Sequence, residues 1–175
     1  MVDTCFPPKD VTSVKTKYTR LQTVLEIVNI LLLIAQFVYV LSLWSRLPAR
    51  IPAHFDAAGH INRYGSKNEL FIVPFVTVGM YASLLWLQRF PQNWNTSVEV
   101  TERSRAYVYS ATKTILVLCR TCVAVTFFII TICISARQIT WIWLDCIPVA
   151  ALVVFIVLYS GRIKRRADKL NHPYG

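Results

Sequence analysis

Charge is scarce in this chain and confined to short segments: Asp, Glu, Lys and Arg make up 16% of 175 residues, and four long stretches are almost free of them. That excludes an ordinary soluble domain, where about a quarter of the residues are charged. No Gly-rich phosphate loop, paired-carboxylate arrangement or nucleophile elbow is present, so neither an enzyme nor a cofactor is expected. Disulfides are not implied either. Cys5, Cys119, Cys122, Cys133 and Cys146 are odd in number, and four fall inside apolar runs, where cysteine behaves as a small hydrophobe. Cys119 and Cys122 form a C-x-x-C, but without the strand-to-helix turn that a redox motif needs. The formal charge of +10 is not arranged as a basic stripe among exposed aromatics. With no recognition module visible, nucleic acid is excluded as a partner.

What remains is apolar: the mean hydropathy is +0.46. Crossing about 30 Å of hydrocarbon takes about 20 helical residues, since only internal backbone hydrogen bonds exist there. Segments near 24–44, 70–87, 114–135 and 139–160 qualify. The expected fold is therefore all-α, an integral membrane bundle of four transmembrane helices with the lipid bilayer as its first partner. Residues 1–23 precede the bundle, an ordered loop over 45–69 joins its first two helices, and a basic tail over 161–175 follows it. The first span exceeds a signal-peptide core and no small-residue cleavage pattern follows it, so it is expected to stay attached. A very short turn around Arg137 makes the last two spans an antiparallel hairpin. Pro74 and Pro148 are expected to kink the second and fourth helices, because each removes a backbone donor.

Orientation follows from the cations. Lys9, Lys15, Lys17, Arg20, Arg89, Arg103, Arg105, Lys113, Arg162, Lys164, Arg165, Arg166 and Lys169 fall on one side, thirteen in all, against Arg46, Arg50, Arg63, Lys67 and Arg137 on the other. The positive-inside rule then places both termini in the cytoplasm and the 45–69 loop outside. Trp44, Trp141 and Trp143 near the outer interface, and Trp86, Trp94 and Tyr159 near the inner one, agree. The glycosylation-like Asn95-Thr96-Ser97 falls on the cytoplasmic side in this arrangement and reads as loop chemistry.

The outer loop carries most of the information. Pro48 and Pro52 disfavour helix before themselves, so the chain is expected to leave the first helix along an extended path. Gly59 and Gly65 suit turns. Ser66-Lys67-Asn68-Glu69 has the form of a capping box opening the second helix. The series Leu47-Pro48, Ile51-Pro52, His54-Phe55, Gly59 and Gly65-Ser66-Lys67 resembles the prokaryotic membrane domain of unknown function 1648, the N-terminal part of SdpI-like immunity proteins. That resemblance covers about twenty residues plus the flanking spans. It implies a prokaryotic plasma (inner) membrane location and a link to antimicrobial-peptide immunity or envelope signalling.

Three ionisable residues fall within the spans, Glu26, Arg120 and Asp145. Such groups are costly in hydrocarbon and face partners or water. Glu26 and Arg120 lie at similar depth and are candidates for an interhelical pair, with snorkelling of Arg120 to the headgroups as the alternative. Asp145 is expected beneath the outer loop. With His54, Asp56 and His60 it makes a weak candidate metal set, since imidazole and carboxylate suit zinc, although two histidines six apart in a loop match no known signature. The expected function is a non-enzymatic protein that recognises a peptide or envelope component through the outer loop, with a membrane-embedded metal-dependent hydrolase and a transporter subunit as the alternatives.

Overall fold

The structure is a computed structural model that describes residues 17–56, 58, 60–96, 98–136 and 142–172. Four helices dominate it: α1 (Arg20–Leu43), α2 (Ile72–Leu87), α3 (Glu102–Ala136) and α4 (Cys146–Asn171). A hairpin of two antiparallel strands, β1 (Arg50–Phe55) and β2 (Ile61–Ser66), joins α1 to α2. All four helical segments are long and apolar enough to cross a membrane, and the chain is a multi-pass membrane protein.

Local chemistry sets the helix boundaries. Thr19 and Gln22 cap α1 reciprocally: the Thr19 hydroxyl accepts from the Gln22 amide at 3.2 Å, and the Gln22 side chain accepts from the Thr19 amide at 3.0 Å. Ser66 and Glu69 form the expected box, with the Ser66 hydroxyl accepting from the Asn68 amide at 3.3 Å and the Glu69 carboxylate from the Ser66 amide at 3.1 Å. That box opens a 3-10 turn, Lys67–Phe71, which runs into α2.

The two prolines expected to kink their helices both stand close to the start of an α-helix. Pro74 and Pro148 are each the third residue of their helix, directly after the 3-10 turns Lys67–Phe71 and Ile142–Asp145. In the first turn of an α-helix a missing N–H breaks few intrahelical bonds, and proline is tolerated there. The prolines mark the change from 3-10 to α geometry.

α3 is the common neighbour of the other three helices. Gln22 of α1 meets Thr114 of α3 and Gln36 meets Thr131, so these two helices run parallel. α2 and α4 return in the opposite sense. One end of the bundle thus carries the hairpin, and the other, called here the tail end, carries the α2–α3 connection and the end of α4.

α3 and α4 extend well past the apolar windows at the tail end, α3 beginning twelve residues before the expected 114. Ser104, Val108 and Ala111 are buried there, at the 3–4 spacing of one helix face. Val108, Tyr109 and Ala111 pack against Ile163 and Ala167 of α4, with Trp94 and Tyr159 alongside. Residues 161–171, expected as a basic tail, are thus helix with one face buried. A second small core, Val40, Ile51 and Leu70 with Leu47, Phe71 and Ile134 around it, seats the hairpin on the bundle. Elsewhere the apolar surface points outward: Leu31, Ile34, Phe75, Val154 and Val157 are all exposed, as a lipid solvent requires. The expected Arg137 turn and Trp141 lie outside the described residues.

Candidate functional site

The extended path expected after α1 is a β-hairpin. Ile51 pairs with Gly65 and Pro52 with Tyr64, and the register slips between Pro52 and Phe55. Ile51 and Pro52 are fully buried against the bundle, while His54, Asp56, His60, Asn62, Arg63 and Tyr64 are exposed. The base of the hairpin is seated on the bundle, and its outer part is displayed.

Most motif residues have a mechanical role. Gly65 is buried, and a Cβ there would fall on the Glu69 carboxylate. That close approach lets Glu69 accept from the Ser66 amide and from Arg63 Nη2, the latter at 2.9 Å. Lys67 reaches back to the end of α1. Its ammonium donates to the Trp44 carbonyl at 3.2 Å and lies 4.7 Å from the Trp44 ring centre. A cation there offsets the unpaired carbonyls and negative dipole of a helix C-terminus. Gly65-Ser66-Lys67 therefore makes room for the carboxylate, caps α2 and clamps α1. Leu47 and Ile51 belong to the hairpin's seat, Phe55 pairs with Ile61, and Pro48 is exposed on the approach to β1. Gly59 lies outside the described residues.

The four weak metal candidates do not converge. His54 Nδ1 is 2.7 Å from Asn62 Oδ1. Asp56 instead accepts from the His60 amide at 2.7 Å and faces His60 Nδ1 at 3.3 Å. The His60 backbone N–H is the main reason that the Asp56 carboxyl sits below its ordinary pKa, with the His60 ring adding to it. Asp145 closes the 3-10 turn before α4, and its Oδ1 is buried with no hydrogen-bond partner among the described residues. Among the described residues no three His, Cys, Asp or Glu side chains are grouped to hold a metal ion.

A second polar region runs inside the bundle. Arg120, fully buried, donates to the Glu26 carboxylate, to Gln88 Oε1 at 2.7 Å and to the Leu84 carbonyl at 3.4 Å. Tyr81 donates to the other Glu26 oxygen at 2.6 Å. The expected Glu26–Arg120 pair is therefore present, and Tyr81 and Gln88 bring α2 into it.

The sequence reading missed what flanks that pair. Gln22, Asn29 and Gln36 stand seven residues apart on α1 and are all fully buried. Gln22 Nε2 donates to Thr114 Oγ1 and the Ser110 carbonyl, both at 2.9 Å, and Gln36 Nε2 to Thr131 Oγ1 at 2.8 Å and the Phe127 carbonyl at 3.1 Å. Each amide bridges a threonine and the carbonyl one turn before it. Asn29, halfway between, has both side-chain amide atoms buried without a partner among the described residues. The signal was legible: a heptad of carboxamides in an otherwise apolar span marks a helix face turned inward.

Comparison with known proteins bears on the hairpin. Residues 31–78 match the profile of a family described as "Domain of unknown function (DUF1648)". This region runs from mid-α1 through the hairpin into α2. An "Uncharacterized protein" of Archaeoglobus fulgidus is 40% identical over 48 residues, which cover 27% of this chain and 26% of that protein. No solved structure matches the chain. The matched residues include the hairpin and its clamp but not Glu26, Asn29 or any of α3.

Proposed function

We propose that this is a non-enzymatic protein of a prokaryotic plasma membrane, with both termini in the cytoplasm, which recognises a peptide or envelope component through its hairpin. The observation that carries this reading is a hairpin with a buried base and an exposed polar outer part. Closing the end of a bundle needs only the buried base, built on Ile51, Pro52 and Gly65. The exposed part offers His54, Asp56, His60, Asn62, Arg63 and Tyr64, with Tyr64 56% exposed. Imidazoles, a carboxylate, a carboxamide, a guanidinium and a phenol on a rigid two-stranded support suit polar recognition with an aromatic anchor.

The orientation is supported by the thirteen cations assigned to the tail end against five at the hairpin end. The resemblance of the motif to SdpI-like proteins favours a secreted antimicrobial peptide as the ligand class, with protection of the producing cell as the outcome. The test is a deletion strain challenged with secreted peptides and complemented with variants. His54→Ala and Tyr64→Ala are expected to insert normally and to lose protection. Full protection by both, at normal protein levels, would contradict the reading.

A further inference from the structure

α1 and α4 both lean on α3 without closing on each other, and an apolar groove of about 490 Å³ lies between them. Leu21 and Leu25 of α1, Leu118 and Cys122 of α3, and Leu152 and Phe155 of α4 form its walls. We propose that this groove holds one acyl chain of an anionic phospholipid whose headgroup is bound by Lys17, Arg20 and Arg162.

The size of the groove suits one acyl chain. A methylene is about the size of a water molecule, roughly 30 Å³, so the groove holds about sixteen such groups, the length of one fatty acyl chain.

Charge picks the headgroup. Pro148, Ala151, Leu152 and Phe155 line the groove, a 3–4 spacing that defines one face of α4. Two turns further toward the tail end the same face reaches Arg162, which is exposed. On α1 the groove begins at Leu21, directly after Lys17 and Arg20, also exposed. Three cations therefore bracket the end where the apolar lining stops, at the depth where a phosphate sits. Each cation near an anionic membrane surface is worth about fivefold in binding. The assignment is independent of which face of the membrane the tail end occupies.

The experiment reconstitutes the full chain in phosphatidylcholine vesicles containing a photoactivatable phosphatidylglycerol with its reactive group midway along one acyl chain. Crosslinks are expected at Leu118, Cys122 and Leu152 in excess over Val153, Val154 and Val157, which are exposed elsewhere on α4. The Lys17→Gln, Arg20→Gln, Arg162→Gln triple variant is expected to bring labelling by the phosphatidylglycerol probe down to the level of a phosphatidylcholine probe. Even labelling around α4 would overturn the proposal. So would groove labelling with no headgroup preference in the unaltered chain, or disulfide crosslinking of Cys122 between two copies, which would put a second chain in the groove.

Discussion

The guanidinium of Arg120 on α3 donates to the carboxylate of Glu26 on α1 within the membrane-spanning part of the bundle. Tyr81 and Gln88 of α2 complete the contact, so one cluster ties three helices together. In hydrocarbon a lone charge is far costlier than a neutralised pair. Arg120→Met is therefore expected to destabilise the protein by about 3–5 kcal/mol, because it strands Glu26. The Glu26→Leu, Arg120→Met double variant should recover most of that. Unfolding midpoints in detergent measure both, and equal losses in single and double variants would contradict the pairing argument.

Asn29 gives a prediction of opposite sign. Its amide is fully buried with no partner among the described residues, and an unsatisfied buried polar group costs about 1–3 kcal/mol. Asn29→Leu should therefore raise the unfolding midpoint. A drop would mean that Asn29 is bonded, and the natural partner would be an internal water.

Glycine provides an internal control. Gly65→Ala would place a methyl on the Glu69 carboxylate, pushing that flexible side-chain end off Ser66 and Arg63, and because both bonds are exposed it is expected to destabilise by about 0.5–1 kcal/mol. Gly79 lies inside α2 with open space around its Cβ position. Gly79→Ala is expected to be neutral or to stabilise by up to about 1 kcal/mol. If the two variants behave alike in thermal unfolding, the carboxylate argument fails.

Asp56 predicts a pH dependence. Its pKa lies below the ordinary 3.8, chiefly because its carboxylate accepts from the His60 amide. A depressed folded-state value means that the tie contributes fully above the unfolded-state pKa and is lost as pH falls through the folded one. The amide resonance of His60 should titrate with a midpoint below 3.8, and Asp56→Asn should abolish that titration. A midpoint at or above that value would contradict the bond.

The four spans, the capping box at Ser66 and the Glu26–Arg120 pair were legible because each leaves a one-dimensional trace: a run of apolar residues, a fixed spacing, a charge where none belongs. The hairpin was legible only as extended chain. Its pairing of Ile51 with Gly65 depends on contacts across the loop that no local pattern encodes. The first turns of α3 were missed because hydropathy registers lipid-facing surface, whereas Val108 and Ala111 are buried against α4. The 3-10 turns ahead of Pro74 and Pro148 left no trace, since hydropathy does not separate 3-10 from α geometry.

The central claim is that the hairpin is displayed outside the cell on a bundle whose tail end is cytoplasmic. The direct test places one cysteine in a variant lacking the native five, at Asn62 on β2 or at Arg165 on α4, and treats intact cells with a membrane-impermeant maleimide. Labelling at position 62, with position 165 protected until the cells are lysed, is the predicted result. Protection at 62 with labelling at 165 would invert the topology and remove the recognition surface from the outer face.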